Sequence, residues 1–146
     1  MNDMENDKKE MKYFSIKELT KSETATKKGI DNTPNAEQVK NLEALIDNLL
    51  DPIREQWGAA IYVTSGFRSV ALNKAVGGVS NSHHLGGYAA DLTVKSQAGN
   101  KALFDMIRRS KLKWTQLISE KTTSQGCGWV HISYVPSNLK NQVLRK

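Results

Sequence analysis

Ser82-His83-His84-Leu85-Gly86-Gly87-Tyr88-Ala89-Ala90-Asp91 places an imidazole and a carboxylate on either side of a flexible turn, and Trp129-Val130-His131-Ile132-Ser133 offers a second imidazole forty residues after Asp91. Two histidines and one carboxylate form the donor set of a catalytic zinc site that keeps its fourth position open for water. A structural zinc normally closes with four protein ligands, usually including thiolates. The chain has one cysteine, Cys127, so His84, Asp91 and His131 read as a centre built for chemistry. Gly86 and Gly87 let the backbone turn sharply enough to bring His84 and Asp91 onto one ion. The small residues Ala89 and Ala90 let a strand, Asp91-Leu92-Thr93-Val94, start against a packed layer. Hard anionic oxygen combined with borderline imidazole suits Zn2+ best among the common metals, with other divalent transition ions as substitutes. His83 is the neighbouring alternative, but adjacent side chains in extended backbone point apart, so at most one ligates, and spacing favours His84.

Outward from this stretch, hydrophobic spacing gives the remaining elements. Ser15 followed by Glu18 reads as a capping box opening a short helix that ends near Gly29. Thr33 is a candidate cap, with Pro34 at the first helical position, for a longer helix. That helix carries Val39, Leu42, Ile46, Leu49, Leu50, Ile53 and Trp57 at three- and four-residue spacing, a stripe for burial. Pro52 lies inside the pattern and should kink or divide it. Ala60 to Thr64 reads as a strand delivering the Ser65 to Ser69 loop, and Ser69 caps a short helix ended by Gly77-Gly78. A helix over Ala98 to Ser110 and strands around Thr115 to Glu120 and Trp129 to Tyr134 complete the set. The expected class is α+β, with N-terminal helices packed on a small, mostly antiparallel sheet that carries the zinc site.

The 146 residues suit one domain large enough to bury a core without disulfides. Residues 1–11 are polar and charged and read as a disordered N-terminal tail, 12–136 as the domain, and 137–146 as a short basic C-terminal tail. No apolar run reaches the length of a membrane span, and the first ten residues are the opposite of a secretory signal. The expectation is synthesis in the cytoplasm, with any action outside the membrane depending on export or lysis. The net charge of +6 is either the solvated face of a helix or a means of concentrating the protein near anionic polymers. Without interleaved aromatics or a recognisable module, nucleic acid is not an expected partner.

Ser82, His84, Gly87, Ala89 and Asp91 together form Ser-x-His-x-x-Gly-x-Ala-x-Asp, which resembles the first zinc motif of the M15 metallopeptidases, the D-alanyl-D-alanine carboxypeptidase and dipeptidase group. Thr64-Ser65-Gly66-Phe67-Arg68-Ser69 upstream and Trp129 to Ser133 downstream resemble the same group, so the likeness runs from about Tyr13 to Val135 in three ordered motifs. Tyr13 to Leu19 and Leu50 to Arg54 are most similar to small single-domain members from phages and bacterial genomes. The resemblance implies a zinc peptidase that cleaves peptide bonds in bacterial peptidoglycan stems, acting as a monomer. It assigns Arg68 to substrate binding and transition-state stabilisation. Ser82 and Trp129 are further candidate substrate contacts.

The catalytic base is where the sequence departs from the wider group, many of whose members place a glutamate three residues before the last zinc histidine. Here that position is Gly128, and no acidic residue lies between Glu120 and His131. If 115–120 and 129–134 pair antiparallel with Glu120 opposite Trp129, then Ile118 faces His131 and Glu120 sits diagonally from the ligand on the same face. A register slipped by one residue would turn Glu120 away. The small members carry a Leu-Ile-x-Glu element similar to Leu117-Ile118-Ser119-Glu120, which favours the first register. Two other readings stay open: a non-catalytic metal-containing module that binds cell wall or protein, and a cysteine hydrolase using Cys127. The second would require a nearby base and a lowered thiol pKa.

Overall fold

A computed structural model describes residues 12–146; the expected disordered tail at residues 1–11 lies outside the described residues. The order is α1 (Ile16–Thr20), α2 (Glu23–Lys28), α3 (Ala36–Leu45), a π-helical turn (Ile46–Leu50), α4 (Asp51–Trp57), β1 (Tyr62–Ser65), α5 (Val70–Ala75), a 3-10 turn (His83–Gly86), β2 (Ala89–Thr93), α6 (Gln97–Arg109), β3 (Gln116–Glu120), β4 (Trp129–Ser133) and β5 (Gln142–Arg145). The fold is α+β. Its five strands run in the order β1-β2-β4-β3-β5, antiparallel except for the β3–β5 pair.

The apolar stripe from Leu42 to Ile53 forms the centre of the helical layer. Leu42, Leu45, Ile46, Leu49, Leu50 and Ile53 are all fully buried, each contributing roughly 1.5–3 kcal/mol of transfer free energy. Pro52 divides this segment without ending it. Proline has no N–H to donate, and the turn before it widens so that the Asp51 N–H donates to Ile46 O, five residues back. The helices pack against the sheet face formed by Ala90, Leu92, Leu117, Val130 and Ile132, joined by Leu103, Phe104 and Ile107 of α6. Strand alternation sends Asp91, His131, Ile118 and Glu120 to the opposite face.

Three sequence expectations are corrected. The helix opened by Ser15 is two helices: Ser22 caps a second one, accepting from Ala25 N, while Gly29 in the left-handed conformation ends it. The break leaves Leu19 O free to accept from Phe67 N at 2.7 Å, anchoring the loop that carries Arg68. Thr33 does not cap α3; its hydroxyl donates to Asp31, and Asn35 forms a full capping box with Gln38. The segment 137–146, expected as a tail, adds β5 to the edge of β3, and its Asn141 side chain accepts from Trp114 N. A four-residue strand of mixed polarity inside a basic run carries too weak a periodic signal to stand out.

Asn100, buried on α6, ties the layers together. Its side-chain oxygen accepts from Val94 N at 2.8 Å and Thr93 Oγ1 at 3.2 Å, and its amide nitrogen donates to Cys127 O and Gly128 O. Replacing it with alanine leaves several buried backbone groups unpaired. Asn100→Ala should therefore lower unfolding stability by about 2–4 kcal/mol in urea titration. Asn48→Ala, which removes only an exposed contact to Ala44 O, should change it by less than about 0.5 kcal/mol.

Candidate metal centre and cleft

Antiparallel pairing sets Asp91 of β2 directly opposite His131 of β4, and His131 opposite Ile118 of β3. After an irregularity in β1, Ser65 lies opposite Asp91. His84 arrives from outside the sheet, on the 3-10 turn that Ser82 caps by accepting from His84 N at 3.1 Å. Gly87 ends that turn at φ +80°, and a Cβ there would also meet Gln38 O at 2.7 Å, so the position requires glycine on both counts. Helix α3 holds the turn from behind: Gln38 Nε2 donates to Leu85 O and Asn41 Nδ2 to Gly86 O.

His84, Asp91 and His131 converge, with one ligand atom of each within 4.8 Å of the others, and all three are buried. His131 Nδ1 lies 2.9 Å from Asp91 Oδ1, and His84 Nε2 lies 3.4 Å from the same oxygen. Burial alone would push the Asp91 carboxyl up. The hydrogen bonds from His131 and His84 and their charge outweigh it, holding the carboxyl well below the usual carboxylate range. His84 Nδ1 donates to Gly66 O at 2.7 Å, which orients the ring so that Nε2 is the nitrogen turned toward Asp91. One imidazole nitrogen of each histidine and a carboxylate oxygen of Asp91 therefore crowd one point, where a cation would bind all three at once. The donor set thus fits a metal ion with nitrogen and oxygen ligands. The backbone carbonyl at Gly66 is itself placed by close approach: a Cβ on Gly66 would collide with Leu19 O.

Arg68, Ser82, Glu120 and Trp129 line the same open cleft of about 450 Å³ as the three candidate ligands. Arg68 is held on three sides. Its Nε donates to Ser65 Oγ at 3.1 Å, Nη1 donates to Asn73 Oδ1 at 2.9 Å, and Nη2 lies 3.8 Å from Asp91 Oδ2. Burial pushes its pKa down, against the charge of Asp91, and the group remains cationic. Asn73 is buried and donates to Val79 O. Sequence reading missed this positioning residue because a lone asparagine in a short helix carries no distinguishing pattern.

Glu120 lies opposite Trp129, the register that puts it on the face of His131. Among the described residues its carboxylate has no hydrogen-bond or ion-pair partner. Gly128 does not line the cleft; a Cβ there would point at Lys121 Cβ, 3.1 Å away. Cys127 is fully buried away from this cleft. His83 does line it, its pKa pushed down by burial and then by His131, His84 and Lys140.

A family model described as Peptidase M15 matches residues 12–133. This chain belongs to the peptidase M15 family. The zinc D-Ala-D-Ala carboxypeptidase of Streptomyces albus G is 60% identical over 37 residues, which is 25% of this chain and 14% of that protein. Among the described residues of this member of the M15 family, no helix is long and apolar enough to cross a membrane.

Substituting His84, Asp91 or His131 with alanine should weaken zinc affinity by more than about 100-fold in competition with a chromophoric chelator. His83→Ala should leave it within about threefold, because His83 lies outside the converging cluster.

Proposed function

We propose that this chain is a zinc peptidase that hydrolyses peptide bonds in the stem peptides of bacterial peptidoglycan. One observation carries the reading: a buried His84-Asp91-His131 cluster shares one open cleft with an unpartnered carboxylate, Glu120, and a three-way anchored guanidinium, Arg68. The family match and the zinc-dependent relative support it.

His84, Asp91 and His131 would hold Zn2+, which would supply Lewis acidity toward water and the scissile carbonyl. Glu120 takes the proton of the attacking water and delivers it to the departing amine. Its lack of a partner leaves it available for that transfer, and the diagonal offset from His131 across β3 and β4, roughly 7–8 Å between the residues and somewhat less between Cβ atoms, leaves room for a water. Arg68 donates hydrogen bonds to the oxygen on which negative charge develops, or clamps a substrate carboxylate with its planar fork. Its anchorage to Ser65 and Asn73 removes the entropy of positioning it. Ser82 and Trp129 contact substrate along the cleft wall.

The test is release of amino acids and peptides from purified peptidoglycan. Activity should vanish on chelation and return with zinc. Glu120→Gln should lower kcat by about 10²–10⁴-fold with zinc content unchanged. Glu120→Ala combined with Gly128→Glu should stay inactive, since a side chain at 128 starts toward Lys121. Full activity in Glu120→Gln would remove Glu120 as the base. A zinc-loaded protein that binds wall but releases nothing would be a binding module instead.

A further inference from the structure

β5 brings to the cleft two lysines that none of the roles above uses. Lys140 precedes the strand and Lys146 follows it. Both line the cleft and both are exposed. Among the described residues, neither ammonium group has a hydrogen-bond or ion-pair partner. Arg68, also in the cleft, is anchored to Asp91, Ser65 and Asn73 and has its own role at the reacting group. Of the cleft's two carboxylates, Asp91 belongs to the ligand cluster, and Glu120 must stay unpaired to move protons.

Strand register places the two lysines relative to the chemistry. β5 runs parallel to β3, with Gln142 opposite Gln116 and Arg145 opposite Ser119. Lys140 therefore lies beyond the Gln116 end of β3, and Lys146 beside its Glu120 end. His131 faces Ile118, the middle residue of β3. Measured along the strands, the level of His131 thus falls between the two lysines, which lie two strands over at the sheet edge and are separated along the chain by up to about 20 Å of backbone. A peptide that follows the strand direction through this cleft, with its scissile bond level with His131, has an uncommitted positive charge toward each of its ends.

We infer that Lys140 and Lys146 recognise carboxylates on both sides of the scissile bond, so that this protein selects stem peptides bearing free carboxylates over the same stems amidated at those groups. The inference rests on the peptidase reading above. An ammonium group is a point charge that gains from a carboxylate both Coulomb attraction and a charge-assisted hydrogen bond. A carboxamide has nearly the same shape but offers neither, so the discrimination depends on charge.

The experiment compares a free-acid peptidoglycan stem pentapeptide with the same pentapeptide amidated at its free carboxylates. The wild type and Lys140→Gln/Lys146→Gln are each measured for kcat/KM and, after chelation to stop turnover, for calorimetric affinity. Exposed charge pairs are individually weak, so the wild type should prefer the acid by about 3- to 10-fold, and more at low salt. The double variant should show a ratio near one, and Lys140→Arg/Lys146→Arg should restore the preference. Because the readout is a ratio of two substrates, a general loss of activity does not mimic the result, and the single glutamine variants serve if the double one misfolds. Equal affinity for acid and amide in the wild type, or an unchanged preference in the glutamine variant, overturns the inference. Turnover of neither peptide with acid-selective, lysine-dependent binding refutes the peptidase reading and retains the two lysines as carboxylate contacts.

Discussion

The pairing of Asp91 with His131 across β2 and β4 is the constraint on which the rest depends. Side chains alternate along a strand, so a slip of one residue would send Asp91 or His131 to the helical side and bring an aliphatic neighbour into the cleft. The same register sets Ile118 opposite His131, Glu120 opposite Trp129 and Ser65 opposite Asp91. What fixes it is the other face. Ala90 and Leu92 of β2, Val130 and Ile132 of β4 and Leu117 of β3 are fully buried against the helices. Exposing that set would cost far more than the polar cluster returns. The hydrophobic core thus sets the geometry of the metal ligands.

His84 and Arg68 come from turns, and turns need a separate means of precision. Both are tied to backbone carbonyls of ordered neighbours. His84 Nδ1 donates to Gly66 O, and Arg68 N donates to His84 O, so the loop that carries the arginine and the turn that carries the histidine hold each other. Each is also fastened to the helical layer, through Phe67 N to Leu19 O and through Gln38 and Asn41 to the carbonyls of Leu85 and Gly86. Loss of helix packing would therefore be felt in the cleft.

The parts of this arrangement legible in the sequence are those with a strong local signal. The glycine turn between His84 and Asp91, the apolar stripe of α3 and α4, and the caps at Ser69 and Ser15 all follow from spacing and residue type, whereas the register that pairs Glu120 with Trp129 was one of two that spacing left open, favoured by the family resemblance. The division of the long helix was legible from Pro52, but its solution as a π turn was not, since a widened turn leaves the hydrophobic spacing almost intact. Helix α2 was hidden because Ser22 caps as well as Ser15, and nothing local says that Lys21 is extended. β5 was hidden because a parallel edge strand is defined by a partner far away in sequence, whereas Gln142 to Arg145 taken alone resemble a polar tail. That omission also hid Lys140 and Lys146, whose place in the cleft depends on β5 docking against β3.

The most direct measurement is a crystal structure of the zinc-loaded protein with anomalous diffraction recorded above and below the zinc edge. The account predicts one strong anomalous peak bonded to one atom each of His84, Asp91 and His131, with a remaining position open to the cleft and facing the Glu120 carboxylate. A peak held by His83, or one whose fourth position is closed by Glu120 itself, would contradict it.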